Sequence, residues 1–176
     1  MNNCYPSLVN LFEDVLGWMP DAVDEDQLAV QARLQTASSY YTCYARIIPN
    51  KDLLLFTVRV PMVTPINRRQ PVQELINRIN WDLLLGCFEF HPQDGESRFR
   101  ASVAYEDANP ATFHHLAKPI MVTSIATTDT YFPAFREVIE RGMSAERAYN
   151  NITHPQRKSA SLQATASEEA APGAAM

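Results

Sequence analysis

The sequence predicts an α+β domain, an antiparallel sheet of about five strands with helices packed on one face. Three stretches carry that prediction. Residues 28–62 alternate apolar and polar side chains in runs separated by turn residues, the pattern of half-buried strands. Residues 71–106 run an amphipathic helix straight into a hairpin whose two strands share one register. Over residues 113–139 apolar side chains return at three-four spacing, as in a helix lying on a core.

Taken in order, residues 7–16 form a first helix. Leu8, Leu11, Phe12, Val15 and Leu16 make its apolar stripe, Ser7 is the expected N-cap, and Gly17 closes it. The acidic run Asp21, Asp24, Glu25 and Asp26 lacks the alternating spacing, central glycine and distal glutamate of a calcium loop, so it reads as a solvated connector. In the first strand Leu28, Val30, Ala32 and Leu34 alternate with Ala29, Gln31, Arg33 and Gln35. A turn near Ala37-Ser38 leads to residues 40–48, with Tyr41, Cys43, Ala45 and Ile47 inward and Tyr40, Thr42, Tyr44 and Arg46 outward. Pro49-Asn50-Lys51-Asp52 is turn chemistry. The third strand, residues 53–62, places Leu54, Phe56, Val58 and Val60 inward with Leu55, Thr57 and Arg59 outward, and Pro61 and Pro65 end it.

The following helix has Val72, Leu75, Ile76, Ile79 and Leu83 on one face, with Pro71 in its first turn, where the missing amide costs nothing. Asp94-Gly95 suits a two-residue type I′ turn, which would pair Phe90 with Phe99, Phe88 with Ala101 and Glu89 with Arg100. Phe88, Phe90, Phe99, Val103 and Tyr105 then face inward, and Cys87, Glu89, Arg98, Arg100 and Ser102 outward. Asn109-Pro110 starts the last cover, whose stripe through Leu116, Ile125, Thr128, Phe132, Phe135 and Ile139 favours one long helix kinked at Pro119, Pro133 or both; the alternative is a break near Thr128 to Tyr131. Gly142 stops it, and Ser144 caps a short final helix through Tyr149.

A chain of 176 residues is long enough to bury a core as one domain, read here as residues 1–152. Residues 153–176 are rich in Ala, Ser and Glu and nearly free of large apolar side chains, so they read as a disordered tail. The net charge of −5 argues against a protein wrapped on nucleic acid. Glu13 and Asp14 stand where a secretory signal would be apolar, no stretch is long enough to span a bilayer, and Cys4, Cys43 and Cys87 are odd in number and far apart. Those features point to a cytoplasmic protein without a disulfide framework.

Candidate chemistry is sparse. None of the five glycines forms a Gly-rich loop between strand and helix, which makes a phosphate cradle a poor reading. His114 and His115 are helical neighbours about 100° apart and cannot share a metal as an i, i+4 pair does. His91 and His154 stand alone, and no Ser, Cys and His spacing supports a nucleophile. Neither a cofactor, a metal nor an enzymatic activity is expected. Cys43 alternates inward as a small core residue.

One constellation follows from the register. The outward face collects Arg33, Arg46, Arg59, Arg98 and Arg100, interleaved with Tyr40, Tyr44, Gln31, Gln35 and Thr57. Guanidinium forks bind carboxylates and phosphates in pairs of hydrogen bonds, and tyrosines offer stacking surfaces. Arg33, Tyr44, Arg46, Arg59, Arg98 and Arg100 are therefore the candidate contact residues. The competing reading is a solvated sheet face held by cross-strand pairs such as Glu89 with Arg100.

The stretch NRINWDLLLGCFEFHPQDGESRFR and the later DTYFPAFREVIERGMSAERA resemble the YbjN-domain family over about residues 7–152. The residues that carry the resemblance are Asn80, Gly86, Phe88, Tyr131, Pro133, Ala134, Gly142, Ser144 and Glu146. That resemblance implies a type III secretion chaperone-like fold: order α-β-β-β-α-β-β-α, helices on one side of a curved antiparallel sheet, commonly a homodimer. It implies a non-enzymatic chaperone-like or regulatory adaptor that binds a partner protein segment. It supplies no catalytic or binding residues. The alternative is a binder of an anionic ligand or nucleic acid through the arginine face.

Overall fold

The computed structural model describes residues 4–154. Its sheet has six antiparallel strands, in the spatial order β1-β2-β3-β4-β6-β5: β1 Pro20–Asp24, β2 Ala29–Gln35, β3 Tyr40–Ile48, β4 Leu53–Val63, β5 Cys87–Phe90 and β6 Glu96–Ala104. The helices are α1 Tyr5–Asn10, which continues as a π-helical segment Leu11–Leu16, then α2 Arg69–Asp82, α3 Pro110–Arg141 and α4 Ala145–Thr153. The tail expected to be disordered lies, from residue 155 on, outside the described residues.

Period-two alternation builds the meander as expected. Tyr41, Cys43, Ala45 and Ile47 of β3 and Leu54, Phe56, Val58 and Val60 of β4 are all buried, and their neighbours are not. The sixth strand is the correction: Pro20–Asp24 is not a connector but pairs with β2, with Val23 opposite Val30 and a bulge between Pro20 and Ala22. Acidic side chains are compatible with an edge strand because both the edge and the outer face meet water. β4 also runs past Pro61 to Val63, across a register irregularity between Arg59 and Val63, the kind of position where a missing amide is tolerated.

The hairpin keeps the expected parity but slips by two residues. Phe88 pairs with Phe99, Glu89 with Arg98 and Phe90 with Ser97. Gly95 takes a left-handed φ of 79° and Asp94 does not, so the type I′ turn cannot form. The connection is instead Pro92-Gln93-Asp94-Gly95, closed by hydrogen bonds from His91 N to Glu96 O (2.8 Å) and from Gly95 N to His91 O (2.9 Å). The Asp94 carboxylate accepts from Glu96 N at 2.8 Å and ion-pairs with His91 at 3.0 Å.

Helices cover one face. Ser7 does not cap the first one: the helix begins at Tyr5 and the cap position is Cys4, while left-handed Gly17 ends the π-helical segment as expected. The 32-residue α3 passes through Pro119 and Pro133 as one element. Asn109 caps it through Thr112 N at 3.0 Å, and it buries Phe113, Met121, Phe132 and Phe135. At about 1.5 Å per residue such a helix can span the sheet. Asp129 accepts from both Thr36 Oγ1 and Tyr41 Oη, the latter at 3.1 Å, tying α3 to β3 and the β2–β3 turn. Ser144 caps α4, which runs on to Thr153.

Candidate partner-binding face

Side chains opposite the helices leave the other sheet face open to solvent. Register places Arg33, Tyr44, Arg46, Arg59, Arg98 and Arg100 on it together: Gln31, Tyr44, Thr57, Arg100 and Cys87 form one row across five strands. Arg59 and Arg98 stand directly opposite each other, a repulsive pairing unless charge is compensated.

Carboxylates compensate it. Glu89 bridges Arg98 Nε at 2.8 Å and Arg100 Nη2 at 2.6 Å, Glu96 pairs with Arg59 at 2.8 Å, and Asp21 of the unexpected strand pairs with Arg33 at 3.1 Å. Thus four of the five arginines have an acidic neighbour within the chain. Exposed pairs of this kind contribute about 0–1 kcal/mol each, so their main effect is to hold the guanidinium groups in place. Arg46 differs: its Nε donates to Gln27 O at 3.2 Å and no carboxylate among the described residues pairs with it. Tyr44, Thr57, Arg59 and Arg98 line a shallow hollow of about 200 Å³.

A second concavity of about 460 Å³ lies toward the β3–β4 turn. Ile48, Leu53 and Leu55 form its apolar ledge, with Lys51, Cys87 and Arg100 around it. Arg46 stands opposite Leu55 in register. Lys51 has no ion pair among the described residues. Period-two parity already assigns Leu53 and Leu55 to the outer face. That two leucines on a solvated face make a ledge is visible only once β6 and β5 frame them. The compensating roles of Asp21 and Glu96 had no local signal, since they depend on strand pairing.

The other candidates for chemistry are placed inside or apart. Burial pushes the Cys43 thiol up to about 12, which keeps it protonated and inert. His114 Nε2 lies 2.9 Å from Ser7 O, a contact that ties α3 to α1. Among the described residues no group of three or more His, Cys, Asp or Glu is placed to hold a metal, and no helix is long and apolar enough to cross a membrane.

Known proteins were compared with the chain. The YbjN family model, described as "Putative bacterial sensory transduction regulator", matches residues 8–137, more than half of the chain. No curated protein matches the sequence. Among solved structures, YbjN from E. coli superposes with a TM-score of 0.50 at 12% identity, over 70% of this chain and 86% of that one. A chain of the HopA1–SchA chaperone–effector complex gives 0.47 at 13% identity, over 77% and 95%. A chain of the ExoT–SpcS complex from Pseudomonas aeruginosa gives 0.42 at 18% identity, over 72% and 98%. At 12% identity the likeness to the E. coli protein shows a shared fold and nothing finer. Asn80, Gly86, Phe88, Tyr131, Pro133 and Ala134 of the sequence resemblance fall within the matched residues, and with the family model spanning both the hairpin and most of α3, the chain belongs to the YbjN family.

Proposed function

We propose that this domain is a non-enzymatic, chaperone-like or regulatory adaptor whose open sheet face holds a segment of a partner protein. The observation that carries this reading is the apolar ledge of Ile48, Leu53 and Leu55 in a concavity of about 460 Å³, flanked by Lys51 and Arg100. Apolar floor with cationic rim suits an extended segment that alternates large apolar side chains with carboxylates. Arg46 and Lys51 would meet its acids, while Arg33, Arg59, Arg98, Arg100 and Tyr44 hold the surrounding surface. The family's description as a regulator supports a binding role. An anionic ligand or nucleic acid on the same face has less to bind, because Asp21, Glu89 and Glu96 already occupy four arginines.

A second copy of the chain is proposed for a different place. Trp81 is 88% exposed and Leu84 fully so, at the corner where α2 turns toward β5. Two neighbouring large apolar side chains in water suit a self-complementary contact.

The test of the adaptor reading is capture from cell extract on the intact chain and on a Leu55→Glu variant, followed by mass spectrometry. A protein enriched on the intact chain and lost on the variant, with unchanged circular dichroism, is the expected result. Equal capture by both, or none above a bead control, overturns it.

A further inference from the structure

The charge of this protein is not spread evenly. Residues 1–32 contain Glu13, Asp14, Asp21, Asp24, Glu25 and Asp26 and no Lys or Arg, a formal charge of −6. With −5 overall, the remaining chain carries +1. The structure gathers this acidic segment around one sheet edge. β1 is the last strand in the order, and no strand pairs with its outer side among the described residues.

Beside that edge runs a groove of about 390 Å³ between α1 and β1. Tyr5, Pro6, Val9 and Val23 make its floor, and Glu13, Asp14 and Glu25 stand along it. Val23 sits opposite the fully buried Val30, so it belongs to the helix-facing side of the sheet, yet it is 46% exposed because no described strand flanks β1 on its outer side. Val15 nearby in sequence is 38% exposed. Glu13, Asp14, Asp24, Glu25 and Asp26 have no ion pair with any described residue; Asn10 bonds Asp14, and Asp24 accepts from Gln27 N at 2.9 Å. Burial, then Glu25 and Asp24, push the Tyr5 phenol's pKa up, a sign that the negative field reaches the groove floor.

An unpaired strand edge, an apolar floor beside it and uncompensated carboxylates along it are the three parts of a site for strand addition. The geometry points to a docking groove for a basic, apolar peptide segment, which lies along β1 as a seventh strand, its large apolar side chains over Val23 and Val9 and its Lys or Arg side chains against Glu13 and Glu25. The opposite edge is not equivalent. There Asn80 already bonds both the N–H and the C=O of Phe88, so β5 offers no free pair at that residue. This inference rests on the reading of the domain as a holder of partner polypeptide, but it uses a surface separate from the outer face. Nucleic acid is repelled by the same carboxylates that select the peptide.

The experiment uses the full chain and a fluorescent peptide of about ten lysine and valine residues, ordered so that valine and lysine alternate along one strand face and long enough to pair with one strand. Two control peptides replace lysine by glutamate or valine by serine. Saturable binding is expected, weaker by at least about tenfold for either control and between about 0.05 M and about 0.5 M salt. Val23→Asn and the pair Glu13→Lys with Glu25→Lys each lose at least about tenfold, while the outer-face variant Leu55→Glu binds normally. Amide exchange over residues 20–24 slows in the complex. Loss with Leu55→Glu instead assigns the peptide to the outer face and overturns the groove. So do equal binding of the glutamate peptide, binding indifferent to Val23 and Glu25, or unchanged amide exchange. Binding that appears only when Arg157→Glu and Lys158→Glu are introduced assigns the groove to this chain's own basic stretch and overturns a partner in trans.

Discussion

Asn80 shows how one side chain can close the edge of a sheet. Its Nδ2 donates to Phe88 O at 2.9 Å and its Oδ1 accepts from Phe88 N at 2.8 Å, so an amide side chain stands in for a neighbouring strand. Phe88 in turn packs at ring-centroid distances of 5.1 Å from Phe99 and 5.2 Å from Phe135. Asn80→Ala is expected to lower stability by about 1–3 kcal/mol in urea unfolding, because two partly buried backbone groups lose their partners. Asn80→Asp keeps the acceptor for Phe88 N but sets a second carboxylate oxygen against Phe88 O, so it too should lose stability; equal stability of all three proteins would deny the bonds any role. Tyr149 gives a pH-dependent counterpart. Its hydrogen bond to Asp82, then its desolvation, raise its pKa from an ordinary 10.0 to about 12, favouring the protonated phenol in the fold. A raised folded pKa contributes stability that is complete below the unfolded value and lost as pH rises through the folded one. The decline in melting temperature between pH 10 and about 12 should therefore be shallower in Tyr149→Phe than in the unaltered protein, and identical slopes would sink the assignment.

At the scale of elements, the short edge strand β5 depends on how closely the chain can approach its neighbour. Gly86 has φ 69°, and a Cβ there would come within 2.6 Å of the Phe99 ring and 2.7 Å of Arg100 O. A side chain is excluded both by conformation and by space, which explains a glycine at the turn from α2 into β5. The hairpin after it was legible in its faces and not in its register. Alternation assigns Phe88, Phe99 and Ala101 inward whatever the loop, but the loop length decides which residues meet. A two-residue slip preserves parity, so the outward set survived the change of turn. The long α3 was legible because its apolar stripe continues across both prolines. Helix caps were readable where an Asn or Ser precedes a clear start, as at Asn109 and Ser144, and misread at Ser7, where the chain is already helical.

For the whole molecule, the distribution of charge matters more than its sum. The α1–β1 end is acidic and, among the described residues, only its Asp21 is ion-paired, whereas at the β3–β4 end of the outer face Lys51 and Arg46 have no carboxylate partner among those residues. A domain polarised in this way orients a charged partner before contact, an effect that salt screens over about 10 Å at 0.1 M. The exposed Trp81 and Leu84 form a third feature, apolar and set apart from both. If they join two copies, light scattering at micromolar concentration should give twice the chain mass, and Trp81→Glu with Leu84→Glu should halve it. A monomer in the unaltered protein would end that proposal.

Which residues face the core was determined by the sequence alone, because alternation and three-four spacing are local properties that burial must obey. The antiparallel meander, the amphipathic α2 and the single α3 follow from that, as does the shared outer face of the five arginines. The Glu89–Arg100 pair was legible too, but only the tertiary structure decided what Arg33, Arg59 and Arg98 do, since their carboxylates are set by strand pairing and register: Asp21 from β1, Glu96 from the start of β6, Glu89 from β5. It also turned an acidic connector into an edge strand. Strand pairing is a non-local event with weak local signal in a short polar segment, and β1 is a strand because β2 stands beside it.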